Sequence, residues 1–241
     1  PTRRSSDLFN HNAITPDSQA TLSQRSRSLI FVAFGVAAAT TLASYEAGGE
    51  VPLYICENGF IAINPPLTGA RLGSLSTRTA HPLFLGRIQG ILDACGLRVK
   101  LDNPYRHQTK GEMLASCVDQ PLITELAAAS TSCARFLRHG YRHCGRCMPC
   151  QIRRAAFLKW GIPDTTAYAF EDIGKNGPEH SGFDDVRSVA MALAQVSVDG
   201  LDAWIGSSLS RALLGDVSPL RDVVGRGLKE LEVLHRKYNV K

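Results

Sequence analysis

The chain has 241 residues, 44% of them hydrophobic, enough to fill one sizeable α/β core, and this excludes a wholly disordered polymer. Its net charge of +5 is spread along the sequence rather than gathered in runs, so nucleic acid is permitted as a partner but not demanded. The seven cysteines are odd in number and clustered at C-x2-C spacing, and no secretory n-region and h-region opens the chain, so a reducing compartment, the cytoplasm, is expected.

The first eight residues, PTRRSSDL, lack an initiator Met and coincide with one reading frame of a common short-read sequencing adapter. Residues 1–8 are therefore expected to be an artefact, with native sequence missing before them. Without their two Arg and one Asp, 25 basic residues face 21 acidic ones, a charge of +4. Thr21 and Ser23 then offer N-cap oxygens for a helix whose first turns hold Arg25 and Arg27. The uncharged run that follows, SLIFVAFGVAAATTLASY (28–45), reaches the lower length limit for a membrane span. It is rich in Ala, Ser, Thr and Gly and is stopped at once by Gly48-Gly49, which suits a helix packed inside an α/β protein.

VPLYI (51–55) reads as a buried parallel strand. A polar, Pro- and Gly-bearing loop is expected from Cys56 to about His81, long enough to suggest binding. HPLFLGRIQGILDAC (81–95) has helical spacing, LRVKL (97–101) is a second strand, and TKGEML opens another helix at Thr109. Strand, helix, strand, helix is the order of a parallel sheet with crossovers. QIRRAAFLKWG forms a short helix after Cys150, EDIGKNGPEHSG (171–182) a connector, and 184–240 a helical layer or cap.

Four of the seven cysteines lie within CARFLRHGYRHCGRCMPC, at 133, 144, 147 and 150. Four thiolates about 2.3 Å from one ion make a closed structural zinc site, with no position left for a substrate. Gly145 lets the backbone turn between ligands, and Arg142, His143 and Arg146 offset the negative charge of the cluster. An iron–sulfur cluster uses similar spacing, and a metal-free loop is the plain alternative. His139 and His143 could ligate, but Cys133 makes them unnecessary, and Cys56, Cys95 and Cys117 are expected to be small buried residues.

HCGRCMPCQIRRAAF with the upstream Ser132-Cys133 resembles the zinc-binding part of the 7-cyano-7-deazaguanine synthase (QueC/ExsB) family. SQRSRSLIFVAFG is similar to an Arg-bearing helix of those enzymes, CENGFIAINPPLTGARLGSLSTRTAHPLF to their substrate loop, and NPYRHQTKGEM to their Pro-x-x-x-Lys segment. ENG followed by NPPLT and STRTAHP resembles the divergent relatives of Qat-type anti-phage systems. The resemblance spans about Ser18 to Trp160. It implies an α/β fold: a parallel sheet fragment of a PP-loop (adenine nucleotide alpha hydrolase-like) domain over 9–170, a four-cysteine zinc loop at 131–154, and a helical C-terminal region over 171–241.

By that resemblance the intact protein uses ATP with Mg2+ to adenylate the carboxylate of 7-carboxy-7-deazaguanine. The acceptor is ammonia, or in the defence-linked relatives an amine on a partner protein; a homo-oligomer is compatible with this. Arg25 and Arg27 would reach phosphate oxygens, and Glu57 and Asn58, just after the first strand, the base or ribose. Arg78, Thr79 and His81 would hold the substrate carboxylate. Thr109-x-x-Glu112 is a capping box, so the helix at Lys110 would offer an anion site; a plain capped helix fits the same residues. The SGG-x-DS loop that grips pyrophosphate in the family occurs nowhere in the 241 residues, so this chain is not expected to turn over ATP alone. The competing expectation is a non-catalytic zinc-stabilised module that binds nucleic acid or protein through Arg135, Arg138, Arg142 and Arg146.

Overall fold

The computed structural model describes residues 27–68, 79–175, 177, 185–206, 208–209 and 214–240, and of Arg27 the backbone alone. Arg25 and Arg78 lie outside it, as does the Arg27 side chain. The Ala-rich run forms helix α1 (Arg27–Thr40), which ends where the Thr40 and Thr41 hydroxyls donate back to Ala37 O and Ala38 O, both at 2.8 Å. A single turn, α2 (Ala43–Glu46), follows. Val32, Val36 and Ala39 pack on the sheet, but Leu29, Phe31 and Phe34 are exposed, so this helix is covered on one face rather than packed inside. No helix among the described residues is long and apolar enough to cross a membrane.

Strands β1 (Val51–Tyr54) and β2 (Val99–Asp102) pair in parallel, with Val51 opposite Val99 and Tyr54 opposite Asp102. Helix α4 (Pro82–Ala94) makes the crossover, and its Ile88 and Leu92 join Val51, Val99 and the buried stripe of α1 in one small core. Gln89 of α4 serves β2 directly: its Nε2 donates to Val99 O (3.1 Å) and its Oε1 accepts from Leu101 N (2.8 Å). β1 departs from the expected buried strand, because Pro52 and Tyr54 are exposed while Val51 alone is fully buried. Period-2 alternation explains this: only the Val51 and Leu53 side of the strand meets helices.

The segment expected to be a loop from Cys56 opens with a buried helical turn, α3 (Gly59–Ile63). Its Phe60 and Ile63 belong to the main core, with Leu67 behind them. After β2 come α5 (Lys110–Ala115) and α6 (Gln120–Ala129), then α7 (Met148–Trp160), stopped by Gly161 at positive φ. The C-terminal stretch is helical as expected: α8 (Asp185–Asp199), α9 (Leu201–Ile205) and α10 (Ser218–Lys237).

α10 carries Leu220, Val223, Val224, Leu228, Leu231 and Leu234 at helical spacing and lays this stripe on α7 and α3. Each such fully buried side chain contributes about 1.5–3 kcal/mol. Gly227 permits the contact: a Cβ there would stand 2.3 Å from the Phe60 ring. The helices that follow the connector are thus the larger part of the core that supports α7.

Candidate metal centre and its surroundings

Cys133 follows α6, Cys144 and Cys147 lie on the loop before α7, and Cys150 is in the first turn of α7. The tight loop expected to hold three sulfurs therefore holds two, and the helix presents the third. All four thiols are buried and unbonded, and their Sγ atoms lie within 4.8 Å of one another. The Cys144–Cys150 and Cys133–Cys147 pairs are 3.9 Å apart. Sulfurs tetrahedral about an ion at about 2.3 Å would be about 3.8 Å apart, so the cage fits a tetrahedral thiophilic ion such as Zn2+.

Backbone amides are aimed at the sulfurs: Cys144 N and Arg135 N donate to Cys133 Sγ (3.2 and 3.3 Å), and Cys147 N to Cys144 Sγ (3.2 Å). Such bonds disperse thiolate charge and fix ligand direction. Gly145 has φ +84°, and a Cβ on it would lie 2.4 Å from Phe170 O, so the turn between Cys144 and Cys147 requires glycine. The thiols also split one another's protonation. Bonds from Cys144, Cys147 and Cys150 pull Cys133 down. Cys133 opposes Cys144, yet Cys147 and Cys150 draw it to about 6. The same contacts, led by Cys133, push Cys147 and Cys150 up.

The frame around the cage is aromatic and cationic. His143 is no ligand: its Nε2 accepts from Ser132 N (3.2 Å), holding the Cys133 segment, and its ring meets Phe136 and Tyr168 edge-on. His139 packs on Phe170. Arg153 is buried and donates to Thr166 Oγ1, Ser130 Oγ, Ala127 O and Ala128 O, which closes the carboxyl end of α6. Arg154 stacks 3.8 Å over Tyr168 and donates to Phe170 O and Glu171 O. Arg146 is also buried, with Nη1 2.8 Å from both Ile173 O and Lys175 O. That removes Arg146 from the four arginines of the competing expectation, because a guanidinium tied to two carbonyls in the interior is not a surface grip, whereas Arg138 and Arg142 are exposed.

Glu57 and Asn58 come beside Thr109 and Lys110 because the Gly59 amide donates to Gln108 O (2.8 Å) and Tyr105 O (3.0 Å). Asn58 caps α3, its Oδ1 accepting from Ile61 N at 3.1 Å. The Thr109 capping box is present: Thr109 N donates to Glu112 Oε2 (2.8 Å) and Glu112 N to Thr109 Oγ1 (3.1 Å). The expected anion site at this helix end is filled by the protein itself. Glu230 of α10 accepts from the Thr109 hydroxyl and from the Gly111 amide. Thr79 is half-buried at the turn before α4. His81 caps that helix, with Nδ1 accepting from Leu83 N (3.2 Å) and Nε2 against Ser208 O (3.0 Å). Its ring nitrogens are thereby committed to the fold, not to the carboxylate expected there.

Lys110 stands between the two halves of the site. Burial, and next the Arg153 cation, hold its ammonium below the usual lysine range, while Glu57 and Cys150 pull the other way. Glu230, Arg226 and Arg153 were not among the expected residues, and no local motif marks them. Cys56 and Cys95 are exposed and Cys117 half-buried, which overturns the expectation that they fill the core. A cleft of about 510 Å³ opens between α5, α7 and α10, lined by Glu112, Lys159, Arg226, Lys229 and Glu230.

The chain is similar to curated 7-cyano-7-deazaguanine synthases. It is 34% identical over 153 residues to those of Brucella canis, Brucella suis and Brucella ovis, a match covering 62% of this chain and 54% of each relative. The chain thus spans about half the length of the curated relatives it matches. No protein-family model matches it. No solved structure matches it significantly.

Proposed function

We propose that this chain is the metal-bearing part of a 7-cyano-7-deazaguanine synthase-like, ATP-dependent carbon–nitrogen ligase of the cytoplasm, built on a PP-loop domain. The four cysteines hold a structural Zn2+ that shapes the site and takes no part in the reaction. Glu57, Asn58, Thr79 and Lys110, with Arg25, Arg27 and Arg78, form the nucleotide and substrate contacts, and a phosphate-gripping segment beyond these 241 residues completes them. The substrate is 7-carboxy-7-deazaguanine, activated as an acyl adenylate with Mg2+-bound ATP and attacked by ammonia in queuosine-type synthesis. In the defence setting suggested by the ENG, NPPLT and STRTAHP stretches, a protein amine is the acceptor.

The observation that carries this reading is the buried four-sulfur cage at the foot of α7, the helix that backs α5 with Thr109 and Lys110, in a chain similar to the deazaguanine synthases. The test is a chimera in which the part of the Brucella canis enzyme preceding its matched region is joined to this chain. Pyrophosphate release that depends on 7-carboxy-7-deazaguanine is expected. A folded, zinc-loaded chimera that releases none would refute the assignment.

A further inference from the structure

The even spread of charge expected along the chain breaks down in one segment. From Leu126 to Pro163 there are seven basic residues and no acidic one, so the rest of the chain holds 27 − 7 = 20 basic against 22 acidic residues. Of the seven, Arg146, Arg153 and Arg154 are buried around the cage, whereas Arg138 and Arg142 are exposed. Neither of these two makes a side-chain hydrogen bond or ion pair among the described residues.

Both arginines belong to the loop that leaves the cage at Cys133 and re-enters it at Cys144. A single turn at Leu137–His139 forms its tip, and Gly140 and Tyr141 follow with φ of +61° and +60°. Glycine adopts that conformation freely, but a tyrosine rarely does. Two contacts hold it there: Tyr141 N donates to Phe136 O (3.0 Å), and the Tyr141 ring meets Phe136 edge-on at 6.0 Å, with Phe136 itself packed on the cage. Tyr141 is nonetheless 63% exposed. An aromatic side chain held out into solvent on a loop anchored at both ends is ordered before any partner arrives, so binding there loses little conformational freedom.

We infer that this loop tip binds single-stranded nucleic acid, with an unpaired base stacking on Tyr141 and neighbouring phosphates meeting Arg138 and Arg142. A base inside a duplex offers no face to one projecting ring. An acidic peptide would engage the arginines but leave the ring without a planar partner. The surface lies outside the substrate contacts, and the inference does not rest on the ligase reading.

The test is fluorescence anisotropy on the zinc-loaded chain with three probes: a short oligouridylate, the same strand in a duplex with oligoadenylate, and polyglutamate. The oligouridylate is expected to bind at low salt roughly tenfold or more tightly than the other two. Its log affinity should fall with log salt at a slope of about −1.4, from two neutralised phosphates at about 0.7 each. Arg138→Gln and Arg142→Gln should each halve that slope. Tyr141→Gly suits the positive φ and removes only the ring, so it should weaken binding roughly fivefold or more at every salt concentration and leave the slope unchanged, while Tyr141→Phe should keep the affinity. Zinc content equal to wild type in each variant shows that the cage is kept. Absence of oligouridylate binding, a duplex or polyglutamate bound as tightly, a slope untouched by both arginine variants, or full affinity in Tyr141→Gly would overturn the inference.

Discussion

The Thr109 hydroxyl donates to the Glu230 carboxyl across 121 residues of sequence, tying the start of α5 to the middle of α10. The neighbouring pair of Arg226 and Glu112, 2.7 Å apart, makes the same connection at the surface. Burial raises the Glu230 carboxyl to about 7, although the Thr109 bond works against the shift. The folded chain therefore holds this proton more tightly than the unfolded chain, whose carboxyl titrates near 4.5. The group's contribution to stability is complete below pH 4.5 and is lost as pH rises through about 7. Glu230→Gln keeps an acceptor for Thr109 without the charge. It should stabilise the chain relative to wild type at pH 8 by at most about 3 kcal/mol, and the gain should shrink towards zero at pH 5. Urea midpoints of the two proteins at both pH values check this, and a pH-independent difference would contradict it.

Purified protein should contain about one zinc per chain, and iron in its place would contradict the zinc assignment. Cys150→Ser removes a ligand from the first turn of α7, so metal loss and unfolding should go together, with a stability loss on the order of 5 kcal/mol or more. Cobalt substitution reads the site directly: wild type should show the intense visible bands of tetrahedral thiolate cobalt, and the variant should lose them.

Features set by neighbours in sequence could be read directly from the chain. The Thr109 capping box, the Gly161 stop and the apolar stripe of α10 are local patterns, and C-x2-C-x2-C confines three sulfurs by spacing alone. Features closed over long distance could not. Glu230 reaches Thr109 from another helix, Arg153 reaches Ala127 and Ala128 of α6, and His81 meets Ser208, and nothing near any of them announces a partner. Short elements failed for a related reason. FIAI within ENGFIAINPP is too brief to show a period, so α3 read as loop, and isolated cysteines such as Cys56 and Cys95 carry no pattern from which burial can be inferred.

Arg153→Lys tests how α6 is held against α7. Lysine keeps the charge but offers a point donor where the guanidinium fork now serves four acceptors, three at the end of α6 and one on the loop after α7. Several of those acceptors would be left buried without a donor. We expect a loss of about 2–3 kcal/mol in urea unfolding with the zinc content unchanged, because no sulfur depends on Arg153 for a hydrogen bond. A loss below about 0.5 kcal/mol would mean that the fork is dispensable.

Gly145→Ala should separate metal retention from core packing. The residue belongs to neither of the two large apolar cores, yet its φ of +84° and the 2.4 Å approach of a Cβ to Phe170 O both oppose any side chain. Relief requires the Cys144 to Cys147 turn to open, and that turn carries two ligands and the Cys147 N to Cys144 Sγ bond. The variant should therefore surrender zinc to a chelator at least tenfold more readily. Its loss of stability, about 2 kcal/mol with metal bound, should vanish once both proteins are compared without metal. Unchanged chelator competition would show that the turn is not what directs the sulfurs.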